Sequence, residues 1–214
     1  QQKGKYIMID LDKIRRKIAQ LNKTSTGIFW KPKVGTHSIR ILPWADIKDG
    51  SIFKELLFYY NITRGGIVAP KMFKKPDPVQ ELISKCYEED TQQSKDLAKK
   101  LYPRLRAFAP IIVREEQSKG VQLWSFSETI YNRLLSFFIN EEMCREITEN
   151  ITDLDKGLDL VVKCTQLPGK KFLDMSVDTK LKASKADKDP AVVKQWMASL
   201  PNLDELYPLK SYEE

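Results

Sequence analysis

Histidine is almost missing from this chain of 214 residues, where His37 stands alone. A metalloprotease helix and a Ser–His–Asp arrangement therefore lack their parts. Glycine is also scarce, at nine residues. No Gly-rich loop runs into Lys-Ser or Lys-Thr, and no dinucleotide fingerprint occurs. The three cysteines, Cys86, Cys144 and Cys164, are odd in number and far apart. Free thiols in a reducing cytoplasm are expected from that pattern, rather than a disulfide framework. No apolar run approaches the roughly twenty residues that span a bilayer, and no signal-type apolar region precedes Tyr6. Neither catalysis nor a membrane partner is expected.

What is present is an ordinary globular composition, 42% hydrophobic and 30% charged. The net charge of +7 favours a polyanionic partner without identifying it.

The segment "DLDKIRRKIAQLNK" (10–23) spaces Leu11, Ile14, Ile18 and Leu21 as one helix face. Lys13, Arg15, Arg16 and Lys17 surround that face, which suits either a basic N-terminal arm (1–26) or a helix docked on the core. The core then runs from 27 to 214. Strand patterns appear at "THSIRIL", "SIFKELLFYY", "RLRAFAPIIVR" and "GVQLWSF", and again at "GLDLVVKCTQL" and "KFLDMSV". An insertion at about 61–101 begins as a Gly- and Pro-punctuated loop and continues as two polar helices, with Pro78 at a first helical position. Further helices are expected at 127–139, at 140–147 and in "PAVVKQWMASL". Turns and irregular excursions join the strands, not regular crossover helices. The expected fold is thus mainly β with helical insertions (α+β), a small, partly open barrel of oligonucleotide-binding (OB-fold) type.

Side chains alternate along a strand, so each strand sorts into two faces. In the "RLRAFAPIIVR" strand, Leu105, Ala107, Ala109, Ile111 and Val113 form an apolar line. Arg104, Arg106, Phe108 and Arg114 fall on the reverse, and Gln122, Trp124 and Phe126 are expected to join them. Arg40 has the same placement in the first strand, and Phe172 emerges beside Lys170 and Lys171 in the last hairpin. Cations neutralise phosphates, and rings stack on bases at about 1–3 kcal/mol each. Stacking needs unpaired bases, so the pattern points to single strands. Each ring alone also fits core packing under a helix. "ITDLDKGLDL" reads as a solvated turn rather than a divalent-ion loop.

The order of these features carries a resemblance: "AQLNK", then "HSIRILP", "APKMFKKPDPVQELISK", "KKLYPRLRAFAPIIVREE", "VQLWSFSETIYNRL" and the closing "LPNLDELYPLKSYEE". Over nearly all of the chain this series resembles the single-stranded-DNA-binding protein family of T-even-type tailed bacteriophages. The resemblance implies a cleft that holds single-stranded DNA in replication, recombination and repair, inside an infected bacterial cell. It implies cleft positions at Arg40, Trp124, Tyr102, Arg104, Arg106, Phe108 and Phe172. It also implies cooperative contact between neighbouring protomers through the basic segment at Lys13–Lys17, and replication and recombination proteins as further partners. That family carries a zinc site of one His and three Cys in the insertion. Here Asn61, Ala69, Asp77 and Gln80 fall near those positions, so no zinc and no other cofactor is expected. Two other readings remain: an RNA-binding module, and a basic scaffold that receives an acidic protein segment.

Overall fold

The computed structural model describes residues 25–47, 51–63, 65–140, 147–148 and 150–213. The basic arm, with Lys13, Arg15, Arg16 and Lys17, lies outside the described residues, as does most of the 140–147 helix expected from the sequence.

Seven strands form one mostly antiparallel sheet. They are β1 (Gly35–Ile41), β2 (Lys54–Tyr59), β3 (Ile67–Val68), β4 (Arg104–Val113), β5 (Gln122–Ser127), β6 (Asp159–Thr165) and β7 (Asp174–Thr179). The order is β3-β2-β4-β1-β6-β7, with β5 on β4. β4 organises the sheet because it is long enough to serve three neighbours. One of its edges pairs with β2 over Arg104–Phe108 and then with β1 over Ile111–Val113. Its other edge pairs with β5. The sheet is not closed.

Among the described residues the helices are α1 (Ser25–Ile28), α2 (Pro78–Glu88), α3 (Gln92–Leu101), α4 (Glu128–Phe138), α5 (Pro190–Ala198) and α6 (Leu203–Leu206). Ile130, Leu134 and Phe137 recur at helical spacing on α4 and enter the main core beside Ile39, Ala109, Trp124, Leu160 and Val177. Arg133 on α4 donates to Val177 O and to Asp178 on β7, so α4 bridges β5, which feeds it directly, and β7. The opposite face is covered too. Leu203 and Tyr207 pack there on Phe58 and Phe108, and Trp196 of α5 packs beside Ile112 and Leu42. A strand covered on both sides reads as a continuous apolar run, which accounts for "AFAPIIV" with every residue buried. The insertion has its own small core of Tyr59, Ala69, Ile83, Cys86 and Ala98 between β2, α2 and α3.

Candidate nucleic-acid interface

Alternation along β4 places Arg104, Arg106 and Phe108 on one face, as the sequence indicates. Register sets Phe58, Leu56 and Lys54 of β2 against them, with Ser127 and Ser125 of β5 on the other side. From Phe108 inward this face is closed. Tyr207 lies 5.5 Å from the Phe108 ring and 4.9 Å from Phe58, and Trp44 donates its indole N–H to Phe108 O. Phe108 is therefore a core residue, which overturns its reading as a stacking platform.

From Arg106 outward the face is open. Arg104 is exposed and Arg106 half-buried, while Tyr102 and Tyr60 are both exposed. Arg106 Nε donates to Tyr60 Oη at 3.1 Å. The Tyr60 ring stacks on Phe58 at 5.7 Å and 26°, so a buried phenylalanine supports an exposed phenol. Lys71 Nζ lies 5.4 Å from the centre of the Tyr102 ring, within cation–π range, and donates to Gln80 Oε1 at 2.6 Å. Asn61 Nδ2 donates to Lys100 O, which brings the basic end of α3 alongside. Among the described residues no carboxylate lies within ion-pair distance of Arg104, Arg106, Lys71 or Lys100. Among the described residues, this end of the sheet thus carries cations without a carboxylate partner, set among rings. Burial, and then the nearby Tyr60, pushes the Tyr207 phenol up, while Arg106 opposes that shift.

The other sequence-derived positions fall elsewhere. Arg40 has no exposed surface and is enclosed by Asp159, Ser184 and the Asp153 carbonyl, so it cannot line a cleft. Trp124 is 1% exposed. It pairs with Ala109, and Phe126 with Ala107, so both share the face of the apolar line and not its reverse. A one-residue offset in matching the hairpin accounts for that error, because it exchanges every side chain between faces. Lys170, Lys171 and Phe172 are exposed, with Lys171 6.0 Å from the Phe172 ring. However, they form the β6–β7 turn, which extends beyond Gly35 at the C-terminal end of β4. Arg104 opens β4 at its other end, ten residues and roughly 30 Å of strand away. The candidate residues therefore divide into two groups at opposite ends of the sheet.

Sequence reasoning did not single out Tyr60, Lys71 or Lys100. Tyr60 was legible as the next residue after Phe58 on its face. Lys71 was not, because its position depends on how the insertion folds.

The zinc ligand set does not fit this insertion. Asn61 and Gln80 carry amides, Ala69 is a buried methyl, and the Asp77 carboxylate already accepts four hydrogen bonds. Cys86, the thiol within the insertion's own sequence, is packed in its apolar core. Two of the three carboxylates of "ITDLDKGLDL" are likewise committed to the fold, and the third, Asp155, is exposed with Lys185 at 3.8 Å. Asp153 accepts the N–H groups of Lys156 and Asp155, which hold its carboxyl below the usual range, and Asp159 meets two arginines. No described helix is long and apolar enough to cross a membrane. Comparison with known protein families and with curated proteins finds no match to this chain.

Proposed function

We propose that this protein is a non-enzymatic, sequence-tolerant binder of single-stranded DNA. The observation that carries the reading is the end of β2 and β4 near Tyr60 and Arg104, where among the described residues Arg104, Arg106 and Lys71 have no carboxylate partner, Arg106 meets Tyr60 and Lys71 meets Tyr102. The cations are available to phosphates, and the two phenol rings to unpaired bases. A duplex offers phosphates at higher linear charge density but keeps its bases stacked, so the rings would go unused. The reading treats the open sheet with α4 along its gap as a partly open OB-fold-like barrel, and takes its place in phage replication, recombination and repair from the sequence resemblance. Neighbouring protomers on the strand and replication proteins are the partners this role would supply.

Titration of a labelled oligo-dT at two salt concentrations, with a duplex of equal length beside it, tests the proposal. Affinity for the single strand should fall steeply with salt, by a log–log slope of about 0.7 per phosphate neutralised. Duplex binding should be far weaker. Equal affinity for duplex, or binding indifferent to salt, overturns the reading, and tighter binding of an oligo-U competitor would replace DNA by RNA.

A further inference from the structure

Asp77 is 5% exposed, and each of its carboxylate oxygens has a different task. Oδ1 accepts the N–H groups of Val79 at 3.1 Å and Gln80 at 3.0 Å, which caps α2. The cap needs no more than that. Oδ2 reaches back to two other elements, accepting the Tyr59 hydroxyl at 2.8 Å and the Lys71 N–H at 3.0 Å. Tyr59 ends β2, directly before Tyr60. Lys71 lies in the short turn Pro70–Phe73, which Lys74 ends in a left-handed conformation at φ 56°. The Lys71 backbone is thus pinned at one point, and its side chain leaves that point for Gln80 and the Tyr102 ring.

We propose that Asp77 is a positioning residue for nucleic-acid binding, holding Lys71 against Tyr102 so that a cation is already in place beside the base that stacks on that ring. This rests on the single-strand-binding reading above. An unanchored lysine would have to give up side-chain freedom on binding each strand, whereas one held by its backbone and by Gln80 has already done so. The buried carboxylate also ties the 3-10 turn, α2 and the end of β2 into one unit, so a shift in any of them would move Lys71.

The experiment compares Asp77→Asn, Lys71→Gln and the double variant with the unaltered protein, using oligo-dT titrations at several salt concentrations. The Asn side chain keeps one acceptor for the cap but turns a donor amide towards Lys71 N–H and Tyr59 O–H. Each single variant should bind several-fold more weakly, with a salt slope reduced by about 0.7, the equivalent of one phosphate contact. The double variant should lose no more than the weaker single, because both changes remove the same contact. Asp77→Asn should lower the melting temperature, while Lys71→Gln should leave it unchanged. A salt slope unchanged in Asp77→Asn, or additive losses in the double variant, overturns the proposal. Should the unaltered protein fail to bind oligo-dT, the functional reading itself falls. Amide exchange at Lys71 still distinguishes the two failures: it should be protected in the unaltered protein and accelerated in Asp77→Asn, and the absence of protection would refute the anchoring independently.

Discussion

Arg40 and Asp159 stand directly opposite each other on β1 and β6, and the arginine is wholly buried. Its Nη1 lies 3.4 Å from Asp159 Oδ1. Arg114 takes the same oxygen at 2.7 Å, and Lys180 approaches the carboxylate at 3.8 Å. One carboxylate therefore serves three cations. Arg40 Nη2 is bound by the carbonyls of Asp153 and Ser184, and burial lowers the guanidinium pKa. Together with Arg114, which binds the Lys185 and Ala186 carbonyls, this arginine secures the return of the 153–159 and 184–186 segments onto the sheet.

Removing the carboxylate leaves Arg40 buried without its ion-pair partner, with only the charge of Asp153 still acting in its favour, and takes the same partner from Arg114. Asp159→Asn should therefore destabilise the fold by about 3–5 kcal/mol. Arg40→Met, which removes the buried charge and keeps much of the volume, should cost less. Guanidinium denaturation midpoints compare the two. Arg40→Met should also bind oligo-dT within about twofold of the unaltered protein, since the residue has no surface to offer.

Gly157 sits against the same arginine. A Cβ there would lie 2.3 Å from Asp153 O, 2.6 Å from Ile151 O and 3.0 Å from Arg40 Nη2. Both carbonyls are held by hydrogen bonds from this loop's own backbone, Gly157 N to Asp153 O and Leu158 N to Ile151 O, each at 3.0 Å. They have no room to retreat. Gly157→Ala should cost about 1–3 kcal/mol, an overpacking penalty measurable by the same denaturation.

The strands were legible in the sequence because alternation and turn residues are local signals. β4 appears at Arg104–Val113 and β5 at Gln122–Ser127, close to where the pattern places them. The occupant of each face was not local information. Phe108 reads as an exposed ring until Leu203 and Tyr207, about a hundred residues later, fold over it. Arg40 reads as a cleft cation until Asp159 is paired across from it. The tail "PNLDELYPLK" is half polar, yet Leu203, Leu206, Tyr207 and Leu209 recur at intervals that bury one side of it. Tyr102 and Arg104 are exposed, and Arg106 half-buried, because they lie beyond that cover.

Alkaline pH should weaken the fold. Burial, reinforced by hydrogen bonds to Asp77 and Glu55 respectively, pushes the phenols of Tyr59 and Tyr131 up, that of Tyr131 to about 12. The folded protein then holds these protons more tightly than the unfolded chain, where tyrosine titrates near 10. The stability they contribute is complete below about pH 10 and is lost as pH rises towards 12. Urea midpoints should fall across that window, and Tyr131→Phe should flatten part of the fall. A midpoint constant to pH 11.5 would contradict the assignment.

Metal removal should change nothing. Asp77 gathers Tyr59, Lys71, Val79 and Gln80 where the resemblance would place a zinc ligand. Dialysis against a chelator should leave the melting temperature unchanged, and elemental analysis of purified protein should show no stoichiometric zinc.

The most direct test of the account reverses charge at one end of the sheet and then at the other. Arg104→Glu/Arg106→Glu should weaken oligo-dT binding by about a hundredfold or more and lower the salt slope by roughly 1.4, the share of two phosphates. Lys170→Glu/Lys171→Glu, in the β6–β7 turn, should have a much smaller effect. Unimpaired binding by the Arg104/Arg106 variant, with its fold intact, would contradict the placement of the strand along the open end of β2 and β4.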